Sequence, residues 1–220
     1  MKIDIIRQIG AITREVRSHE QDGKPAKVVV ATRTFDTGIE DVWDAITSPQ
    51  RLPRWFLPVT GELRLGGRYQ LQGNAGGQIT ACEPPRRLAV TWEFGGGVSW
   101  LTVQLAEDPR GGTRLELEHT AHVEEHWQKF GPGAVGVGWD LTLLGLGLHL
   151  AGAMGDAAEG AAWAGTPAGR EFMTASSNAW GRAAVASGTP EATALASAAA
   201  TTAFYTGESC DTPPGEGHTH

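Results

Sequence analysis

Ile5, Ile9, Ile12 and Val16 recur every three or four positions between residues 3 and 17. That spacing predicts one apolar stripe on an α-helix. The segment QDGKPAK then breaks the pattern. KVVVATRTF, residues 27–35, is rich in β-branched side chains and predicts a strand. Beyond it Ile39, Val42, Trp43 and Ile46 share one helical face, with Asp36 or Thr37 as capping residue and Pro49 just past the end. Leu52, Trp55 and Phe56 predict a short helical turn before Pro58.

From residue 61 to 122 the period becomes two. Tyr69 and Leu71 alternate with Arg68, Gln70 and Gln72. Leu88, Val90, Trp92 and Phe94 alternate with Ala89, Thr91 and Glu93. Leu115 and Leu117 alternate with Arg114, Glu116 and Glu118. Strands with one oily and one wet face predict an antiparallel sheet. Glu93, Glu116 and Glu118 fall on the wet face. Glycine clusters punctuate the run, and the stretch LRLGGRYQLQGNAGGQI at 63–79 alone holds five glycines. None is followed at once by a helix, as a phosphate-cradling loop requires, so they predict hairpins and bends.

After Gly131-Pro132-Gly133 comes VGVGWDLTLLGLGLHLAG, apolar on more than one face, which predicts a buried helix. Asp140 near its start and His149 near its end suit the helix dipole. Gly145 and Gly147 each cost about 1 kcal/mol relative to alanine inside a helix. Such a cost implies that the backbone there lies close to something or leaves room for something. Residues 153–206 are rich in alanine. Phe172, Ala175, Ala179, Trp180 and Ala183 predict one helix. Thr189-Pro190-Glu191 predicts the N-cap, first residue and first-turn acid of another, whose inner stripe is Leu195, Ala199, Thr202 and Phe204. Residues 207–220 predict a disordered tail.

The 220 residues carry a net charge of −7 and no clustered basic run, which argues against a nucleic-acid partner. Cys82 and Cys210 are far apart and form no CxxC pattern, so neither a disulfide framework nor a structural zinc site is expected, and a cytoplasmic location fits. The charged N-terminal stretch does not read as a secretory signal. The longest apolar stretch, near 141–151, is too short to span a bilayer. Eight tryptophans imply much buried aromatic area.

The order strand, short helices, six antiparallel strands, long helix, with RLPRWFLP, GGRYQLQG, ACEPPRRLAVTWEF, TRLELEHT and GVGWDLTLLGL, resembles the START-like superfamily over about 27–152. Within it the chain most resembles the proteins known as activator-of-heat-shock-protein-90-ATPase-like, or SRPBCC, proteins. The resemblance implies an α+β helix-grip: a curved antiparallel sheet wrapped around the long C-terminal helix, with a cavity between. It implies a helical segment at 1–26, the START-like domain at 27–152, an Ala-rich helical extension at 153–206 and a tail at 207–220. The superfamily hosts ligand carriers, cyclases, hydratases and chaperone regulators, so the fold alone does not imply an activity.

Strand alternation nominates the lining of that cavity. If Leu115 and Leu117 face inward, so does His119. The same logic places Leu88, Val90, Trp92 and Phe94 inside, and Tyr69 and Leu71 on their own strand, with Trp55 and Phe56 closing one end and Trp139 the other. Trp43, Trp100 and Leu143 complete the candidates. Such a lining suits a small hydrophobic or amphipathic molecule, with no cofactor and no metal. His119 is either a pocket group able to titrate and orient a ligand or a strand-end histidine bonded to a loop carbonyl. With His119 or Tyr69 as proton carrier, the cavity would instead serve a cyclase or hydrolase. His122, Glu125 and His126 match the HxxEH zinc pattern in letters, but the pattern needs a helix presenting both histidines and a further ligand downstream. No GxSxG occurs, and Cys82 reads as a small core residue. The Ala-rich helices are expected to cap the cavity, to cover the sheet, or to join two copies into a dimer.

Overall fold

The computed structural model describes residues 3–153 and 155–207. Of the tail expected at 207–220, residues 208–220, with Cys210, lie outside the described residues. The core of the fold is one eight-stranded antiparallel sheet: β1 (Thr13–Gln21), β2 (Lys24–Phe35), β3 (Val59–Gly61), β4 (Arg68–Leu71), β5 (Gly76–Glu83), β6 (Arg87–Phe94), β7 (Gly97–Glu107) and β8 (Thr113–His122). Their spatial order is β1-β2-β8-β7-β6-β5-β4-β3. The helices α2 (Ile39–Thr47) and α3 (Leu52–Trp55) fill the crossover after β2, and α5 (Gly133–Leu150) lies along the concave face.

The first expectation fails in an instructive way. Residues 3–17 are not one helix: α1 spans only Ile5–Gly10, and β1 follows from Thr13. Ile12 and Val16, four apart, fit a helix stripe. They fit a strand as well, because Ile12, Arg14 and Val16 alternate inward. The deciding signal is the Asp22-Gly23 dipeptide. Both residues take positive φ, 51° and 72°, and join Gln21 to its partner Lys24 in a two-residue hairpin. Segment 1–26 thereby adds an edge strand to the sheet.

Smaller corrections concern helix ends. Gly38, not Asp36 or Thr37, is the N-cap of α2, and the Thr37 hydroxyl donates to Asp41 instead. Pro190 occupies the N-cap of the last helix, which has no side-chain cap from Thr189.

Within the opening glycine stretch, Gly77 shows why no other residue fits. A Cβ there would stand 2.0 Å from the Thr91 carbonyl oxygen, at a φ of 155°. The neighbouring strand runs too close for a side chain.

The helix α5 has 18 residues, longer than the 141–151 stretch suggested, and by length and composition alone it could cross a bilayer. Here its apolar sides are spent against the sheet and the C-terminal helices. Those are α6 (Ala157–Ala164), α7 (Pro167–Ala186) and α8 (Glu191–Thr206). The helix α7 lies beside α5 and over β1, so the extension widens the helical layer above the sheet. Glycines on α5 make this possible. A Cβ on Gly136 would lie 2.4 Å from the Trp180 indole of α7. On Gly147 it would meet the Arg33 guanidinium, which passes beneath and donates to the Leu143 carbonyl. The glycines therefore admit neighbouring side chains, not a guest.

The inner stripe of α8 is rotated from the expected one. Ala194, Ser197, Ala198 and Thr201 are buried, while Leu195 and Phe204 are exposed. Ala198 faces Gly181 of α7 closely enough that only small residues fit.

The packing of α7 on α5 encloses a charge. Asp140 is fully buried, and its Oδ2 accepts from Arg14 Nε at 2.8 Å, from Trp180 Nε1 at 3.2 Å and from the Ser176 hydroxyl. Burial pushes this carboxyl up, and the three donors oppose that. Asp140 thus joins β1, α5 and α7; its role goes well beyond the helix dipole.

Candidate functional site

The space between α5 and the sheet holds a cavity of about 180 Å³. Tyr69, Leu71, Ile79, Val90 and Leu101 wall it from the sheet, Trp139, Leu143 and Leu146 from α5, and Trp55 and Phe56 from the end of α3. Leu63, 39% exposed, stands at its mouth.

Four polar side chains in this wall, those of Tyr69, Thr47, Thr142 and Trp55, are already committed. The Tyr69 hydroxyl donates to the Thr91 carbonyl at 2.8 Å, Thr47 to the Trp43 carbonyl at 2.6 Å, and Thr142 to the Gly138 carbonyl at 2.8 Å. Trp55 Nε1 donates to the Ala45 carbonyl at 3.0 Å. Burial also pushes the Tyr69 phenol up, away from any role as a proton carrier near neutrality. The rest of the wall is mostly carbon, with the half-buried Cys82 thiol and the indole of Trp92 among it.

A second space, about 260 Å³, opens beyond the far end of this cavity, between the β6–β7 hairpin and α4 (Glu125–Phe130). Trp92 borders both spaces. The remaining partition is a bonded pair: Trp139 Nε1, on the cavity side, donates to His119 Nδ1 at 2.8 Å, on the outer side. His119 Nδ1 is therefore the acceptor, so Nε2 carries the proton and donates to the Ser99 hydroxyl at 2.8 Å.

The structure thus resolves the two readings of His119. It faces inward, 4% exposed, opposite Val29 and Leu101, and its partners are side chains, not a loop carbonyl. Burial lowers its pKa from 6.5 to about 4. The unfolded chain then binds a proton between pH 6.5 and 4 that the folded chain refuses, so stability falls as pH falls through that window. The shift amounts to about 3 kcal/mol. Thermal melts from pH 7 to pH 4 should show wild type losing more stability than His119→Asn by an amount on this order; parallel curves would contradict it.

Of the expected lining residues, Trp55, Phe56, Tyr69, Leu71, Val90, Trp92, Trp139 and Leu143 meet around the inner cavity. Four do not. His119 lies behind Trp139. Phe94 is the last residue of β6, 62% exposed on the rim of the outer space, because alternation sets which way a side chain faces but not how far α5 reaches over it. Trp100 points to the opposite sheet face, edge-on to His122 with ring centres 5.2 Å apart. Trp43 packs half-buried on α2, outside the cavity. The alternation of VSWLTVQLAE carried the signal for the unnamed Leu101 and Val103.

Other motifs resolve similarly. Tyr69 and His119 face different spaces and form no acid–base pair. His122 ends β8 while Glu125 and His126 lie on α4, and among the described residues no group of three metal-binding side chains converges. Glu93, Glu116 and Glu118 lie on the outer face, paired with Arg68, Arg114 and Arg17.

Comparison with known proteins agrees with this geometry. CalU16 from Micromonospora echinospora is 32% identical in its crystal structure, with a TM-score of 0.65, over 79% of this chain and 98% of that one. Its solution structure is 33% identical, with a TM-score of 0.64, over 81% and 97%. Protein MLL2253 from Mesorhizobium loti, 23% identical with a TM-score of 0.50 over 57% of this chain and 96% of that one, shares the fold. No curated protein matches the sequence. The family described as activator of Hsp90 ATPase homolog 1-like protein matches residues 36–151, which span everything from the crossover helices to the end of α5. The chain belongs to that family.

Proposed function

We propose that the protein binds a small hydrophobic or amphipathic molecule between α5 and the concave sheet. The observation that carries this reading is a void of about 180 Å³ whose wall is mostly carbon and whose Tyr69 and Thr142 hydroxyls are bonded elsewhere. Moving apolar ligand surface from water into such a wall contributes about 25 cal/mol per Å², set against the cost of immobilising the ligand. The separation of Tyr69 from His119 favours binding over acid–base catalysis. A reducing, cytoplasmic setting goes with the reading, since the Cys82 thiol stands free in the wall. A role beside a chaperone ATPase, which the family's description raises, rests on that description alone.

The test is a thermal-shift panel of small aromatic and short-chain apolar compounds. A ligand at 100 times its Kd should raise Tm by roughly 5–10 °C. Leu101→Phe, which projects a ring into the void, should keep the fold and abolish the shift. If no compound in the panel shifts wild type, the reading fails.

A further inference from the structure

One end of the inner cavity is held by a row of hydrogen bonds. Trp139 Nε1 donates to His119 Nδ1 at 2.8 Å, His119 Nε2 to the Ser99 hydroxyl at 2.8 Å, and that hydroxyl to the Trp92 carbonyl at 3.2 Å. All three bonds point the same way, so each polarises and strengthens the next. The row runs from α5 across β8 and β7 to β6. Trp92 also braces the indole it anchors: its ring packs edge-on against Trp139, with ring centres 5.1 Å apart. Trp139 is thereby fixed between the cavity and the outer space of about 260 Å³ behind it.

Other aromatic walls are pinned as well, Trp55 to the Ala45 carbonyl and Tyr69 to the Thr91 carbonyl. These rings cannot swing aside without giving up a buried hydrogen bond. The void they enclose is small. At about 180 Å³ it is close to engineered cavities of about 150 Å³ that admit a single benzene, and below the roughly 300–1,000 Å³ of common small-molecule sites. Among the described residues no charged side chain lines it. A charged guest would lose its water there and gain no counter-charge.

We propose that Trp139, positioned by His119, is the end stop that sets the length of the ligand, and that the site takes one compact, uncharged body about the size of a substituted benzene ring. Chain beyond that size stays in water at the mouth beside Leu63 and adds no affinity. His119 acts through Trp139 and has no contact with the ligand of its own. The inference rests on the binding role proposed above and names the ligand class for it.

Calorimetric titration of benzene, toluene, ethylbenzene, propylbenzene and butylbenzene, with sodium benzoate beside them, tests this at about pH 8. Each added carbon that still fits should tighten binding about fourfold. In the wild type that gain should stop before butylbenzene, and benzoate should bind at least tenfold more weakly than toluene. Trp139→Leu removes the stop, and the gain should continue to butylbenzene. His119→Leu frees the indole to tilt into the outer space and should shift the stopping point in the same direction. His119→Asn keeps an acceptor for the indole and should restore the wild-type profile. A merely structural role for His119 would weaken every ligand alike and leave the stopping point where it was. Benzene binding shows that a variant is folded, and Trp139→Phe makes the same test by a smaller step should Trp139→Leu not fold. If the wild-type gain runs unbroken to butylbenzene, or the Trp139 variants stop where the wild type does, the end stop is wrong while the cavity stands. Benzoate binding as tightly as toluene overturns the uncharged class. Absence of binding by the whole series overturns the binding role as well.

Discussion

Asp140→Ala should destabilise the fold by about 3–5 kcal/mol, because it strands the Arg14 guanidinium in the interior without its counter-charge. Arg14 is nearly as buried as Asp140, at 7% against 0% side-chain exposure, so water cannot take the missing partner's place. Two more donors, Ser176 and Trp180, lose their acceptor in the same substitution. At roughly 2–4 °C per kcal/mol for a chain of this length, the melting temperature should drop by about 6–20 °C. Replacing both charges at once, Arg14→Met with Asp140→Leu, should cost much less, since paired apolar substitutes need no compensation. A double-mutant cycle by chemical denaturation measures the coupling. Additive costs would show that the pair does not act as a unit.

Trp180→Ala should cost a similar 3–5 kcal/mol, by a different route. The indole is fully buried on Gly136, and its N–H belongs to the Asp140 cluster. Truncation opens a cavity at the joint between α5 and α7. The converse change fails for lack of room: Gly136→Ala gains about 1 kcal/mol of helix propensity, yet the methyl collides with the indole, and overpacking of this kind costs about 1–3 kcal/mol. Gly136→Leu combined with Trp180→Ala refills the joint from the other side and should be more stable than Trp180→Ala alone. Equilibrium urea melts of the three variants decide it; a double variant no better than the single would mean that indole and glycine are not complementary.

These contacts mark what local sequence could and could not reveal. Alternation around Leu88, Val90 and Trp92, and around Leu115, Leu117 and His119, shows through because one face of each strand is oily and the other wet. The grip helix shows through because VGVGWDLTLLGLGLHL is apolar all round. Ile12 and Val16 misled because two residues four apart satisfy both periods, and only the Asp22-Gly23 turn distinguishes them. Leu195 misled because apolarity was used to choose the buried face of α8, whereas side-chain size governs a close helix pair. The site was legible to the extent that facing direction decides it, as for Tyr69, Leu71 and Val90. Depth along the sheet decides Phe94, and the hydrogen bond joining Trp139 to His119 depends on two elements meeting in space, which no local pattern records.

The sheet never closes on itself, so two rims remain open to other chains. At one rim β3 is only three residues long, which offers a stranger almost no ladder to extend. At the other, β1 is long, but Glu15, Arg17, His19 and Glu20 stud it with charged or polar side chains. A protein that keeps a greasy hollow is thereby guarded against stacking into fibres, by brevity on one flank and by charge on the other.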